Sequence, residues 1–471
     1  MSTKNKLAKS TVLLMIVLIT ATLISVCQFV GAEYTMSTSP SQGSDPPRQI
    51  RLTWGQNDTS HTIVITWKTT EENSGDQVLY DTEARGGEIS LYRNSDNGSH
   101  HTYPDLGGYI HDVELTGLSP DTVYHFVCGG ENGGYSEERS FRTAPSTSTS
   151  FTFVAGGDSQ AGASDWPWGR DAISRAMAEF NPSFVLRTGD LVSKGIDQAE
   201  WDNFFEDLDK HWVDTDGLTI PIIPALGNHE HYNYEYEEDL ENALPKYFGQ
   251  FSLPDNEQWY SLDWGQDLHI IVLNSEEISN ENQLRWLEND LATHASSKWK
   301  IVIFHRPPFT TNPYTSGDMQ VRRYWVPLFD NYHVNLVFNG HHHFYQRTYP
   351  INYAKSQDTP VSAWEGTTYV ITGGWGAPLQ SIGYPEWWTA STRGTYHFIL
   401  VNVSEDGLQI KAINMNGNVF DECYIPAEAP TSTLLLVVVV AVVIVLAIVA
   451  IFIVRRQRGT LQRHDTKKGR S

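Results

Sequence analysis

The chain has 471 residues, too many for one ordinary domain. Its 40% hydrophobic and 19% charged residues, with 36 Gly and 22 Pro, exclude disordered, collagen-like and low-complexity classes, and 3 Cys exclude a disulfide scaffold. The net charge is −23 although both ends are basic, so the body repels nucleic-acid backbones, and an anionic substrate needs a local positive site such as metal ions.

Residues 1–32 read as a signal peptide. Lys4, Lys6 and Lys9 precede the apolar run Val12–Val30, and Val30-Gly31-Ala32 offers a cleavage site, with an uncleaved anchor as the alternative. Residues 46–145 hold short strands: Thr62–Trp67 alternates with period two, and Val78–Tyr80, Glu88–Tyr92 and Ile110–Leu115 are further expected strands. This spacing predicts an antiparallel sandwich. Its histidines, His100, His101, His111 and His125, read as surface or core side chains. A Pro/Ser/Thr linker at 145–150 follows. From 150 to 425 apolar runs alternate with helical patterns, among them Phe151–Ala155, Arg170–Phe180, Phe184–Arg187, Gln198–Lys210, Leu268–Leu273, Gln283–Leu291, Lys300–Phe304 and Val334–Phe338. They predict an α/β domain of two mixed sheets packed face to face, flanked by helices. Leu434–Val454, without charge or proline, reads as a C-terminal transmembrane helix, and the basic segment 455–471 as its cytoplasmic tail. The expected placement is a single-pass cell-membrane protein with its body outside. Cys128 and Cys423 could pair there or remain two buried thiols.

Five apolar strands each open into a loop carrying Asp, Asn or His. The loops are Gly156-Gly157-Asp158-Ser159-Gln160, Thr188-Gly189-Asp190, Gly227-Asn228-His229-Glu230, His305-Arg306-Pro307-Pro308 and Asn339-Gly340-His341-His342-His343. Ligand sites of α/β sheets lie beyond the carboxyl ends of strands. Carboxylate, amide oxygen and imidazole together suit borderline divalent or trivalent metals. Glycines beside the donors let the backbone turn sharply and approach a metal or phosphate. One Gly-Asp after a strand is usually a turn, and a lone His is usually structural. All five in this order, each at a strand end, are far rarer by chance.

This order of motifs resembles the calcineurin-like metallophosphoesterases. Gly340-His-His-His-Phe-Tyr-Gln-Arg347 is most similar to the purple acid phosphatase version of the last motif. The segment Leu118-Ser-Pro-Asp-Thr-Val-Tyr-His-Phe126 resembles the tyrosine corner of fibronectin type III domains, with Trp67 as the core Trp. A fibronectin-like domain in front of the catalytic one is a further likeness to purple acid phosphatases. The resemblance implies a multidomain protein: a fibronectin type III-like sandwich over 46–145, a metallophosphoesterase domain over 150–425, and the membrane helix at 434–454. It makes Asp190 the carboxylate bridging two metal ions (Fe, Zn or Mn). Asn228, His305 and His341 would complete the second metal site, Asp158 and His343 would hold the first, and Gln160 is a candidate further ligand. His229 would be the general acid, and Arg347 and His342 are candidate substrate contacts. Two such cations clamp both oxygens of an in-line displacement at phosphorus, with metal-activated water as nucleophile.

The chain departs from the family at several positions. Ser193 stands where purple acid phosphatases have the Tyr that gives their colour, so a colourless protein is expected. Ser193 also stands where phosphoprotein phosphatases have an Asp orienting the His of Gly-Asn-His. Gln160 stands where other members have a ligating His, and an amide is the weaker ligand. No His lies between Arg306 and Asn331, where purple acid phosphatases place substrate contacts, which leaves Arg322 and Arg323 as substitutes. The expected activity is an extracellular, membrane-anchored phosphomonoesterase similar to acid phosphatases. A phosphodiesterase on nucleotides or glycerophosphodiesters is the alternative enzyme, and a surface adhesion protein with a weak metal site the alternative of another class.

Overall fold

Alternate residues of the strand Leu268–Val272 go to two different cores. Leu268, Ile270 and Val272 pack into one and Ile271 into the other. The strand Trp299–Ile303 repeats this division, with Ile301 and Ile303 on one side and Val302 on the other. Period-two alternation with apolar residues on both faces is what a sheet needs when it is covered twice. The first core is shared with a second sheet through Phe153, Ile399, Val401 and Ile410, and the Phe153 ring meets Phe338 edge-on at 6.3 Å. The second core is closed by the helices Glu281–Thr293, Met319–Tyr324 and Val326–Asn331 through Leu287, Leu291, Val321 and Phe329. The helices Pro167–Ala178 and Gln198–His211 extend the first core with Ile173, Met177, Trp201 and Phe205. The computed structural model describes residues 43–427 apart from 148, 161–166, 232–239, 316 and 357.

In the six-stranded sheet Ile222–Pro224, Val185–Arg187 and Phe151–Gly156 run parallel, followed by the antiparallel strands His397–Val403, Gly407–Asn414 and Val419–Pro426. In the seven-stranded sheet Leu268–Val272, Trp299–Ile303, Leu336–Asn339 and Thr368–Thr372 run parallel between antiparallel edges. The carboxyl ends of Phe151–Gly156, Val185–Arg187 and Ile222–Pro224 therefore lie together, as do those of Trp299–Ile303 and Leu336–Asn339.

The N-terminal domain is an antiparallel sandwich of a four-stranded and a five-stranded sheet. Trp67 is fully buried between them, and the Tyr124 hydroxyl accepts the Ser119 backbone N–H at 2.9 Å, so the corner closes as its sequence suggested. One expected strand is corrected. Glu88–Tyr92 holds a single 3₁₀ turn, Ile89–Leu91, and the strand lies further on, at Asn94–Asn97. Ile89 and Leu91 are exposed, so their alternation buries nothing and does not reward pairing. Cys128 is buried in the sandwich and Cys423 lies in the six-stranded sheet, both as free thiols.

The membrane helix expected at 434–454 lies outside the described residues, as do the signal peptide 1–32 and the basic tail 455–471. Among the described residues no helix is long and apolar enough to cross a membrane. Even Gln198–His211, at 14 residues, falls short of the ~20 apolar residues that a span needs. The helices here are amphipathic pieces cut to cover a sheet. The expected architecture is corrected accordingly to a β sandwich followed by an α/β domain, and the single-pass membrane placement is withdrawn.

Candidate metal centre

Five of these parallel strands, Phe151–Gly156, Val185–Arg187, Ile222–Pro224, Trp299–Ile303 and Leu336–Asn339, lead into the motif loops, and these loops converge where the two sheets meet. Three motif residues hold left-handed backbone: Asp158 at φ 59°, Asp190 at φ 52° and His341 at φ 71°. Such a conformation is costly for a residue with a side chain and persists where surrounding contacts impose it. Here the contacts are between motifs. The His341 N–H donates to both Asp158 carboxylate oxygens at 3.0 Å, the Asp158 N–H to the Gly189 carbonyl at 3.1 Å, and the His229 N–H to Asp190 Oδ1 at 3.0 Å. Two glycines make room: a Cβ on Gly227 would lie 2.2 Å from Asp190 Oδ1, and one on Gly340 would lie 2.4 Å from Asp158 Oδ2.

Four donor atoms gather at one point. His305 Nε2 lies 3.1 Å from Asp190 Oδ2, 3.0 Å from Asn228 Oδ1 and 3.2 Å from His341 Nδ1, which itself lies 2.9 Å from Asn228 Oδ1. Beside them His343 Nε2 stands 3.3 Å from Asp158 Oδ1, and Gln160 Nε2 donates to Asp190 Oδ2 at 3.1 Å. The outer nitrogens are fixed by main chain. His305 Nδ1 donates to the Thr188 carbonyl at 2.9 Å, and His343 Nδ1 to the Pro378 carbonyl at 2.8 Å. In the neutral rings each Nε2 lone pair is therefore aimed inward, the arrangement by which outer hydrogen bonds orient metal-ligating imidazoles.

These residues fit a pair of metal ions. Carboxylate, amide and imidazole acceptors face one another at about 3 Å with too few protons to satisfy them, and a cation among them removes the repulsion. Gln160 Oε1 is buried with no hydrogen-bond partner among the described residues, as an oxygen awaiting a cation would be. Electrostatics agree. Burial lowers the basicity of His305, but the neighbouring Asp190 carboxylate more than reverses this and raises its pKa to about 10. Burial and the charge of His305 together push His341 well below the ordinary imidazole range.

His229 is brought to the rim of this cluster. Its Nε2 lies 3.7 Å from Asp190 Oδ2, and its Nδ1 bonds to the Ser193 main-chain carbonyl at 2.6 Å. Ser193 thus orients the ring through its backbone, which a sequence comparison of side chains cannot reveal. His342 is buried against Phe344, with its ring 5.0 Å from that of His341, and receives a hydrogen bond from Asn312 Nδ2 at 3.2 Å. Arg347 is not brought to the cluster: its guanidinium holds Asp421 of the other sheet at 2.6 and 3.1 Å. Arg322 is likewise engaged elsewhere, donating to the Pro308 carbonyl at 2.6 Å with Phe309 and Trp388 against its cation. Trp375 is fully buried with the Arg187 guanidinium 3.7 Å over its ring.

Two supporting residues escaped the sequence reading. Glu230 is fully buried and accepts backbone N–H bonds from Asp190, Leu191, Val192 and Gly227 at 2.8–3.2 Å, which locks the second motif to the third. Its place in Gly-Asn-His-Glu was the available signal. Arg187 is a buried cation bonded to Ser159 beneath the first motif, and burial lowers its pKa to about 9. An Arg at the end of an apolar strand carried no such message.

Comparison with known proteins gives the same picture. The family model of the purple acid phosphatase N-terminal domain matches residues 47–143, and that of the calcineurin-like phosphoesterases matches 151–345. The chain is similar to a phosphoenolpyruvate phosphatase of Allium cepa, 27% identical over 386 residues, 76% of this chain and 72% of the relative. It is similar to acid phosphatase type 7 of Mus musculus, 27% identical over 354 residues, 67% of this chain and 77% of the relative. In fold it is similar to a purple acid phosphatase from yellow lupin (Lupinus luteus) seeds, with a TM-score of 0.70 at 20% identity over 83% of this chain and 78% of that one. Purple acid phosphatases are dinuclear metal enzymes, in keeping with the donors gathered here. Residues 151–345 therefore belong to the calcineurin-like phosphoesterases and residues 47–143 to the purple acid phosphatase N-terminal domains, and the chain is a metal-dependent phosphoester hydrolase.

Proposed function

We propose that this protein hydrolyses phosphomonoesters at two metal ions. Asp158, Asp190 and His343 would hold one, with Gln160 as a weak further ligand, and Asp190, Asn228, His305 and His341 the other. The observation that carries this reading is the meeting of Asp190, Asn228, His305 and His341 donor atoms within about 3 Å of one another. Bound cations supply a Lewis-acid clamp at phosphorus and an activated water. The chain's own part is orientation and proton transfer. The Thr188 and Pro378 carbonyls hold His305 and His343 with Nε2 inward. The Ser193 carbonyl holds His229 so that Nε2 faces the site, from where its proton passes to the departing oxygen. Domain limits of 46–145 and 150–425 go with this reading.

Metal analysis beside kinetics tests it. Asp190→Asn should lose metal from both sites and slow hydrolysis by several orders of magnitude. His229→Ala should keep both metals and slow turnover by ~10²–10⁴-fold, the worth of a general acid. That loss should shrink for p-nitrophenyl phosphate, whose leaving group hardly needs a proton. Two retained metals with near-normal turnover in Asp190→Asn would overturn the ligand assignment. Faster turnover of bis(p-nitrophenyl) phosphate than of the monoester would move the reading to a phosphodiesterase. No turnover of either by the metal-loaded protein would move it to a binding protein.

A further inference from the structure

The strand Thr368–Thr372 is followed by a long irregular connection that joins the sheet again only at Thr389–Arg393. Connections of this length in a compact domain commonly serve a site. This one leaves the carboxyl end of its strand beside the motif loops, yet it supplies none of the donors assigned above. Its first residues press on the metal centre: a Cβ on Gly373 would lie 2.4 Å from the His342 carbonyl oxygen and 2.7 Å from Asp158 Oδ2, so a glycine is needed for the chain to pass. Trp375 then anchors it. The ring is fully buried, its Nε1 donates to Ser174 Oγ at 3.2 Å, and its backbone N–H donates to the Gly157 carbonyl at 3.2 Å. The Ala377 N–H donates to the Asp158 carbonyl at 2.9 Å. Beyond Ala377 the segment surfaces, and Pro378, Leu379 and Gln380 are exposed.

These exposed residues nonetheless converge on one partner, His343. The Pro378 carbonyl accepts from His343 Nδ1 at 2.8 Å. The Gln380 backbone N–H donates to the His343 carbonyl at 3.1 Å, and Gln380 Oε1 accepts the His343 backbone N–H at 3.4 Å. Gln380 thus meets both main-chain groups of His343, as a neighbouring strand would, while Pro378 takes the ring. At 3.4 Å the side-chain bond is long and weak by itself. Its effect comes from closing a ring with the two shorter bonds. The direction of His343 Nε2, which stands 3.3 Å from Asp158 Oδ1, therefore depends on three bonds from a segment anchored at Trp375. The first metal site has particular need of them. His343 is the one imidazole assigned to it, and the amide of Gln160 is the weaker kind of ligand. A site with few strong donors gains most from outer bonds that hold each donor in place.

We propose that Gln380 is a positioning residue of the first metal site: together with Pro378 it holds His343 toward Asp158 and so sets the affinity for that ion without ligating it. The proline ring fixes its own φ, so the carbonyl is presented to the imidazole with little freedom left to lose. The second site, built on Asn228, His305 and His341, receives no bond from this segment among those described. Its affinity is independent of Gln380. This role presupposes the two-metal reading above.

Calorimetric titration of the metal-free full chain with Zn²⁺ tests this, in the wild type and in a His305→Ala background whose second site is emptied. In both, Gln380→Leu, which keeps the bulk and removes the oxygen, should weaken the first ion by ~10-fold. Gln380→Glu, which keeps an acceptor, should restore it to at least the starting value. Pro378→Gly, which keeps the carbonyl but frees the main chain that presents it, should weaken the same ion. In a His343→Ala chain, Gln380→Leu should change Zn²⁺ content no further, because residues that act through one another are not additive. The melting temperature of the metal-free chain should be the same with Gln or Leu at this exposed position. Undiminished affinity in Gln380→Leu, or no restoration by Gln380→Glu, would overturn the proposal. So would equal weakening of both ions, a lower melting temperature without metal, or a loss of the same size once His343 is gone, each of which would make the segment a general support. Failure of the two-metal reading would look different: Asp190→Asn would then keep both ions, whatever stands at 380.

Discussion

Glu230 holds the loops of the candidate metal centre together without joining its cluster of donors. Its two oxygens accept four main-chain N–H groups from two motif loops, and one of those groups belongs to Asp190. Burial and the charge of Asp190 raise its pKa to about 7, while the backbone donors favour the carboxylate. Glu230→Gln keeps the shape but turns an amide N–H₂ toward N–H donors. We expect a stability loss of at least ~2 kcal/mol in urea unfolding, from donors left unmatched. Metal affinity should weaken by ~10–100-fold because the loop carrying Asp190 loses its clamp. Metal binding unchanged in the folded variant would show that the loops hold themselves. Asp45, in the sandwich, offers a cleaner pH test. Burial alone would raise its pKa, but bonds from Ser74, Thr70 and Glu71 bring it down to about 2. A depressed carboxylate stabilises the fold above its unfolded pKa and ceases to do so as pH falls through the folded one. The advantage of wild type over Asp45→Asn in thermal melts should be full near neutral pH and fade between about pH 4 and pH 2. A difference constant across that range would contradict this account.

At the scale of elements, the strands carry the donors and the loops between them shape what may approach. A groove of about 730 Å³ runs between the loop after His305 and the segment near Ile382, lined by Asn312, Tyr314 and Tyr384 among others. The two loops are tied by the Gly383 N–H to the Thr311 carbonyl at 2.5 Å, and Asn312 reaches His342 beside the metal ligands. Tyr314 is 92% exposed and Tyr384 93%, an unusual position for two aromatic rings on one groove. Rings so exposed would stack on an aromatic or nucleoside leaving group that entered the groove. Tyr314→Ala and Tyr384→Ala should each lower kcat/KM for aryl and nucleotide monoesters by about tenfold, the worth of one stacking contact. Glycerol phosphate should be hydrolysed as before. Equal losses on all substrates would mean that the loops support the fold and do not select.

The whole molecule is held together across its domain junction by buried polar contacts as well as apolar ones. Arg51 of the sandwich, 3% exposed, donates through Nε to the Gln250 carbonyl at 2.9 Å with its guanidinium 4.0 Å over the Phe205 ring. Lys68 pairs with Asp202 at 2.6 Å, and Arg139 pairs with Asp209. Arg51→Met retains the aliphatic contact but strands the Gln250 carbonyl. We expect ~2–3 kcal/mol of lost stability and, in guanidinium titrations, a sandwich that begins to unfold ahead of the catalytic domain. A single unshifted transition would argue that the junction contributes little.

The sequence by itself determined the class of each domain and the five motif loops that the fold brings together. Strands such as Leu268–Val272 and Trp299–Ile303 are short apolar runs, and runs of that length bounded by turn residues have few alternatives to a buried strand. The motif loops were legible because Asp, Asn and His after a buried strand carry chemistry that turns rarely need. Polar edge strands such as Tyr345–Thr348 and Thr389–Arg393 were not legible, because their pairing is decided by neighbours and not by their own alternation. Only the tertiary structure decided that Arg347 serves Asp421 and that Ser193 orients His229 through its carbonyl. Each of these is a contact between residues far apart in the chain or a bond made by main chain. One-dimensional pattern reports which side chains a segment must bury, and it is silent on what meets them once two sheets have closed on each other.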